Sequence, residues 1–227
     1  MSLFIVLSAA QCLAGGNDDP VLASLLVDQL EWRDQSGENP VAWEADLWLG
    51  RDLDKLWIKT EGLSSDDAEE EIETQMLYSR ALSPFWDARV GWRADWQPGT
   101  ERHWLSIGAK GLAPGFVEME IAFFLGSEGR SALRLQAEYE LLLSQRLLLV
   151  PELEVNLYGE NDRDTGVGAG LADLEAGLRL RYRVTREIQP YIGFNWHRLY
   201  GNSGKFARDA GADSDSAQWV AGVRLWF

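Results

Sequence analysis

"QWVAGVRLWF", residues 218–227, places an apolar side chain at every second position and ends on an aromatic residue. Trp219, Ala221, Val223, Leu225 and Phe227 fall on one face. A period of two is typical of a β-strand with two unlike faces. The end of a soluble domain usually frays and carries polar residues. We therefore expect this strand to pair with the first strand and close a ring, because an open strand edge in lipid leaves backbone groups unsatisfied.

The same alternation recurs along almost the whole chain. In "FVEMEIAFFL", residues 116–125, apolar residues alternate with Glu118 and Glu120. In "DLEAGLRLRYRV", residues 173–184, they alternate with acids and arginines. No stretch shows a convincing helical period, although "DDAEEEIETQMLY", residues 66–78, is locally compatible with a helix. The pattern predicts twelve strands, at about 24–34, 41–49, 55–62, 70–82, 85–97, 102–112, 116–126, 130–142, 147–159, 170–184, 189–201 and 217–227.

The connections between the predicted strands alternate in length. "GRDLD", "SP" and "APG" are short, whereas "DQSGENP", "QPGTER" and "GNSGKFARDAGADSDS" are longer and more polar. Outer-membrane barrels have this asymmetry, with short periplasmic turns and longer external loops. A soluble, lipocalin-like barrel would show the same alternation along its strands. The sorted loops and the aromatic residues near the strand ends favour the membrane barrel, since aromatic girdles mark both membrane interfaces.

The sequence thus predicts an all-β protein. Residues 23–227 form a single up-and-down antiparallel transmembrane β-barrel of twelve strands with a polar, charged lumen. Residues 1–22 are apolar and then rich in small residues, and we expect a signal-like or disordered N-terminal segment. The expected location is the bacterial cell outer membrane. The expected partners are its lipid and the outer-membrane barrel assembly machinery, whose recognition signal the aromatic C-terminal strand resembles.

Composition excludes several classes of function. The chain has 36 acidic and 21 basic residues, which disfavours nucleic acid as a partner. A single Cys excludes a CxxC site, and no phosphate-binding or dinucleotide motif suggests an organic cofactor. A phospholipase-type barrel would need a Ser nucleophile beside a His base. Ser106 and His103 are three residues apart on one strand and point to opposite faces, so we expect no enzymatic activity.

Five collinear stretches carry a specific pattern: "WEADLWLGRDLDKLWIKTEG", "LYSRALSPFWDARVGWRADW", "GLAPGFVEMEIAFFLGSEGRSALRLQAEYELLLSQRLLLVPELEVNLY", "GLADLEAGLRLRYRVTREIQPYIGFNWHRLYG" and "VAGVRLWF". Together they resemble the copper resistance protein B family of outer-membrane barrels. The resemblance implies a role in copper tolerance by binding or exporting copper ions at the outer membrane, beside periplasmic copper-handling proteins. Family members often carry a Met- and His-rich segment before the barrel, but residues 1–22 contain only Met1 and no His. A general porin-like or structural barrel without metal specificity is the alternative.

By parity the polar faces line the lumen, and their acids concentrate on predicted strands seven to ten. Like charges on neighbouring strands repel, so they need arginines, a bound cation or protonation to compensate. An internal charge network and a metal-transit site are both compatible with this pattern, although carboxylates are hard ligands that select copper poorly. The network would comprise Arg134, Glu140, Glu175, Arg179 and Arg181 with these acids. The candidate metal ligands are His197, Glu118, Glu120, Glu138, Glu152, Glu154 and Asp173.

Three tryptophans also fall on the lumen parity, towards the short-turn end. Trp48, Trp57 and Trp226 lie on strands two, three and twelve, which are close neighbours through strand one. We expect their rings to form an aromatic plug inside the barrel.

Overall fold

The computed structural model describes residues 19–34, 39–64 and 71–227, so most of the predicted N-terminal segment lies outside the described residues. The described chain forms one antiparallel sheet in sequence order. β8 and β9 both pair with β10 and together take one place in the ring, which therefore has twelve positions. The strands are β1 (Leu22–Asp34), β2 (Val41–Gly50), β3 (Asp54–Ser64), β4 (Glu71–Ser83), β5 (Trp86–Gln97), β6 (Thr100–Ala113), β7 (Val117–Gly126), β8 (Ser131–Glu138), β9 (Leu141–Leu142), β10 (Leu147–Tyr158), β11 (Gly170–Tyr182), β12 (Ile188–Leu199) and β13 (Asp215–Trp226); a 3₁₀ turn covers Ser127–Gly129 and one helix, α1, covers Gly201–Asp209.

The last strand closes the ring, as the sequence predicts. β13 pairs antiparallel with β1, with Trp226 opposite Leu26 and Trp219 opposite Asp34. The backbone of Phe227 donates to the carbonyl of Leu25 at 2.8 Å and accepts from its N–H at 2.9 Å. The twelve-position barrel is confirmed. Across the described residues, no helix is long and apolar enough to cross a membrane.

The side chains are distributed in the reverse of a soluble protein. Arg179 and Arg181 are 1% and 0% exposed, whereas Ile192 on the adjacent strand is 62% exposed. Charged residues are almost never fully buried unless they are paired, and a broad exposed apolar surface marks a contact with lipid or protein. The apolar faces therefore point out to lipid and the charged faces line the lumen. This arrangement excludes the soluble, lipocalin-like alternative.

A bulge in β1 changes which residues enter the lumen. The register shifts between Val27 and Gln29, on the side that faces β2. An extra residue at a bulge breaks the strict alternation of faces. Asp28 and Gln29 consequently both line the lumen cavity. Counting alternate residues along β1 without a bulge places Asp28 outside the lumen. For this residue the count gives the wrong face.

Two expectations about the connections are also wrong. The connection after β5 is a two-residue turn, because Gln97 pairs directly with Thr100 and Gly99 adopts a positive φ of 72°. The connection between β12 and β13 contains α1, although no helix is expected there. A helix of nine residues that begins with one glycine, contains another and has few apolar side chains carries no detectable period. The other long connections stay at the same end, which we call the loop end, and the opposite end is the short-turn end.

Removing the last four residues should prevent assembly. The deletion of residues 224–227 removes the β13 pairs with Leu26 and Val27 and the two backbone hydrogen bonds to Leu25. The edge of β1 would then be open in lipid, where each unsatisfied backbone group costs several kcal/mol. We expect the truncated protein to be absent from the outer-membrane fraction. A heat-modifiable barrel at normal abundance in that fraction would contradict this expectation.

Candidate functional site

The lumen contains a cavity of about 1090 Å³. Its wall extends from Arg102 and Asp162 at the loop end to Lys110 and Glu118 near the short-turn end. Eighteen acidic and eight basic side chains line it, so its net charge is strongly negative. Such a cavity attracts cations, as rings of carboxylates do in cation channels.

Two fully buried arginines on β11 hold one group of carboxylates. Arg179 donates from Nε and Nη2 to the two Glu31 oxygens, both at 3.0 Å, and also bonds Glu152. Arg181 donates to Glu152 Oε1 at 2.9 Å and to Glu138 Oε1 at 3.3 Å. Glu152 is therefore shared by both guanidinium groups. A planar guanidinium suits such forked contacts, because its donors match carboxylate geometry in pairs.

A second group surrounds Arg134 on β8. Arg134 donates to Glu73 at 3.1 and 2.8 Å and to Glu61 at 2.8 Å, which lie across the lumen on β4 and β3. Arg93 bonds the same Glu73 at 2.8 Å and chelates Asp95 at 2.6 and 3.0 Å. These contacts join distant parts of the ring through its interior. The contacts of Arg134 with Glu73 and Glu61 link strands that are not neighbours in the sheet and that backbone hydrogen bonds therefore cannot join directly.

A third group converges on Glu120 of β7. The Glu120 Oε2 atom accepts hydrogen bonds from Arg89 at 3.1 Å and from Lys59 at 3.4 Å. The ammonium nitrogen of Lys110 lies 3.9 Å from the same oxygen. Three cations thus share one carboxylate. Arg89 also lies over the ring of Trp57, with 4.5 Å between the guanidinium carbon and the ring centroid. This group and the two tryptophans Trp48 and Trp57 lie in the part of the barrel nearer the short-turn end.

The chain matches the family model described as "Copper resistance protein B precursor (CopB)" over residues 21–227. It is 41% identical over 211 residues to "Copper resistance protein B" of Escherichia coli, covering 93% of this chain and 71% of that protein. This chain belongs to the copper resistance protein B family. A "Copper resistance protein B homolog" of Pseudomonas syringae pv. tomato is 39% identical over 211 residues, covering 93% of this chain and 72% of the relative.

Solved structures confirm the outer-membrane barrel fold of this family member. The NanC porin superposes with a TM-score of 0.59 at 13% identity, covering 90% of this chain and 99% of the porin. The KdgM porin gives a TM-score of 0.51 at 11% identity, with the same coverage. At such identities the likeness shows the fold alone. The fold and the family place the protein in the bacterial outer membrane, with its outer face in contact with lipid.

The structure assigns most of the predicted metal ligands of this family member to charge pairs. Besides Glu120, Glu138 and Glu152, Glu154 lies 3.4 Å from Arg134 and accepts from Gln136 at 2.7 Å. Glu118 is 4.0 Å from Lys110 and is largely exposed. Within residues 19–34, 39–64 and 71–227, no three His, Cys, Asp or Glu side chains form a group that could hold a metal ion.

His197 and Asp173 lie apart from the arginine groups, nearer the loop end. The His197 Nε2 atom is 4.0 Å from an Asp173 oxygen, and His197 lines the cavity. Asp173 accepts a hydrogen bond from Asn156 at 2.9 Å. Glu175 is 3.2 Å from Arg33 and accepts from Asn195 at 2.8 Å. Glu140 lies at the margin of the network, 3.9 Å from Arg181.

The structure brings together two of the three predicted plug tryptophans. The ring centroids of Trp48 and Trp57 are 6.1 Å apart. Trp226 instead donates from Nε1 to Ser24 Oγ at 2.8 Å and is half exposed. Trp48 and Trp57 lie directly opposite each other on β2 and β3, and this register brings their rings together.

The site analysis from sequence leaves out the residues that bridge the lumen. Glu31, Glu61 and Glu73 have the correct parity but lie outside the run of acids on predicted strands seven to ten. Asp28 bonds Arg224 and lies 3.5 Å from Arg181, which the bulge in β1 makes possible. Contacts across a barrel join residues that are far apart in the chain; Arg179 and Glu31, for example, are separated by 148 positions. No local pattern in one sequence encodes that partner choice.

The loop between β10 and β11 is clamped against the wall at the loop end. Asp162 accepts from Arg102 at 2.8 and 3.2 Å and lies 3.9 Å from Arg130. The hydrogen bonds from Arg102 hold the pKa of the Asp162 carboxyl below its ordinary value. Behind the clamp, the Gly168 N–H donates to Ser203 Oγ of α1 at 2.8 Å. The loop and the helix thus shape the mouth of the cavity together.

Replacing Arg179 should destabilise the barrel strongly. Arg179→Met keeps roughly the length of the side chain but removes the guanidinium that joins Glu31 to Glu152. Among the described residues, Glu31 then keeps only Arg33, and Glu152 keeps only Arg181, as a guanidinium partner. Breaking a buried pair in this way costs about 3–5 kcal/mol of unfolding free energy. Arg80→Met is the control, because Arg80 is exposed and lies 3.7 Å from Asp54; surface pairs contribute about 0–1 kcal/mol. Equal unfolding free energies for the two variants in a urea titration would contradict the network.

The clamp at the mouth should open in acid. A carboxyl whose pKa is lowered by folding stabilises the closed loop above its ordinary pKa of about 4 and loses this effect as the pH falls through the lowered value. We expect slow hydrogen exchange in residues 159–169 at pH 7 and faster exchange below pH 3, after correction for the intrinsic rate. Asp162→Asn should exchange fast at both pH values. A loop that stays protected in Asp162→Asn at pH 7 would refute the clamp.

Proposed function

We propose that this barrel confers copper resistance by binding copper ions in its lumen or exporting them across the outer membrane. The observation that carries the proposal is the acidic cavity, in a chain that belongs to a copper resistance family. The arginines neutralise part of the carboxylates and fix them in place. The remaining excess of carboxylates concentrates cations inside the barrel. These carboxylates do not surround an ion with a full set of ligands, and conduction requires binding that is weak enough for release.

The pair of His197 and Asp173 is the place in this lumen best suited to copper. Imidazole binds copper well, whereas carboxylates alone are hard ligands that favour other ions. Cu(I) prefers thiolate and thioether sulfur, and His197 with Asp173 offers nitrogen and oxygen. Copper is therefore proposed as cargo in the Cu(II) state, held at the loop end of the cavity by His197 with support from neighbouring carboxylates.

A general porin-like barrel without metal specificity is the second candidate function. The size and polarity of the cavity favour it, as does the similarity in fold to two porins. This alternative predicts passage of small cations of many kinds and no dependence on His197.

We further propose that the protein is not an enzyme, because Ser106 is buried on the lumen side while His103 is exposed on the outer face. Periplasmic copper-handling proteins are the proposed partners at the short-turn end.

The two histidines provide a matched test of the copper proposal. His197→Gln should lower the copper tolerance of cells, measured per amount of folded barrel, because it removes the imidazole from the cavity. His103→Gln is the control, since His103 faces outward and stacks on Trp92 with 5.5 Å between ring centroids. Tolerance that is unchanged in both variants, while deletion of the whole protein lowers it, would reject His197 as a ligand. No effect of the deletion would reject the copper proposal itself.

A further inference from the structure

Three adjacent strands place a buried row of polar residues on the lumen wall. Asp46 on β2 lies directly opposite Lys59 on β3, and Lys59 lies opposite Gln75 on β4. Their exposed fractions are 5%, 6% and 4%, so water barely reaches any of them. Every hydrogen-bonding group in such a row needs a partner inside the protein, an ordered water or an ion.

The row is short of positive charge and of donors. Asp46 Oδ1 and Gln75 Oε1 are buried oxygen atoms without a hydrogen-bond partner among the described residues. The amide N–H of Gln75 is already used, because it donates to Glu73 at 2.6 Å. Lys59 lies between Asp46 and Gln75 in the row, yet its ammonium donates to Glu120 at 3.4 Å and to neither of the two unsatisfied oxygens. Both unsatisfied groups are acceptors, so what they lack is a cation or a donor.

A second carboxylate on β2, that of Glu44, also lacks a contact with a positively charged side chain in the part of the chain that the structure describes. Glu44 is two residues from Asp46 and on the same face, about 7 Å along the strand. Both line the cavity, and in the described chain Glu44 makes no hydrogen bond and no ion pair within 4.0 Å. The acids on β7, β8 and β10 differ, since arginine or lysine contacts them. An unpaired buried carboxylate is costly unless a cation or a proton accompanies it.

We propose that Asp46 and Glu44 form a binding site for a hard cation, such as Na⁺ or Ca²⁺, that keeps part of its hydration shell. Carboxylate and water oxygens are the ligands that these ions take. The site offers no nitrogen or sulfur ligand, which separates it from the copper site proposed above at His197. It does not depend on copper being the cargo. With two carboxylates and water as ligands, the ion exchanges readily with the cavity.

The test compares unfolding temperatures of the purified full-length barrel in choline chloride, NaCl and CaCl₂ at one ionic strength. A ligand that binds only the folded state raises the unfolding temperature in proportion to ln(1 + [L]/Kd). We expect Na⁺ or Ca²⁺ to raise it for the wild type and Asp46→Asn to lose this increment. Asp87→Asn is the control, because Asp87 faces the lumen but is 3.9 Å from Lys55; it should keep the increment.

Each result decides the proposal. No increment in the wild type with either ion overturns it and assigns the unsatisfied oxygens to buried water. An increment that survives in Asp46→Asn overturns it as well. The increment of Asp46→Asn is measured from the unfolding temperature of that variant in choline chloride, so that the loss of the Asp46 charge opposite Lys59 is separated from the loss of ion binding. If Asp46→Asn fails to fold, Glu44→Gln provides the same test, because Glu44 is less buried than Asp46. The Glu44→Gln substitution should also reduce the increment in unfolding temperature.

Discussion

Closure of the backbone ring is the constraint on which the rest of this structure depends. In the hydrocarbon core no water is available, so every N–H and C=O of a spanning strand must find a partner in a neighbouring strand. The pairing of β13 with β1 completes this requirement. Once the ring closes, every strand has one face in lipid and one face in the lumen. The alternation of apolar and charged residues in the sequence follows directly from that geometry.

Closure also creates the chemical problem that the lumen solves. A twelve-position barrel encloses a narrow interior in which charged side chains are cut off from bulk water. Arginines at the centres of carboxylate groups answer this, because one guanidinium can bond several oxygens at once. Arg134 joins β8 to β3 and β4 across the lumen, and Arg179 joins β11 to β1 past β12 and β13. The same network leaves acid in excess, and this excess gives the lumen its preference for cations.

The sequence predicts the wall of this barrel far better than its interior. Strand number, face assignment and the closing strand follow from local alternation, which a single sequence displays. The bulge at Asp28 breaks that alternation without a local signal, and α1 is too short to show a period. The partners of Arg179 lie on other strands, far away in the chain. The predicted ligands Glu120 and Glu152 have the correct face, but only the fold shows that Lys59 and the arginines already engage them.

The central claim is that the lumen retains a net negative charge after its internal pairs are formed. The reversal potential of the purified barrel in a planar bilayer, measured across a KCl gradient, tests this claim most directly. The account predicts a potential set by K⁺, as carboxylate-lined pores give. A potential set by Cl⁻ would contradict it, since the arginines would then dominate the field along the cavity.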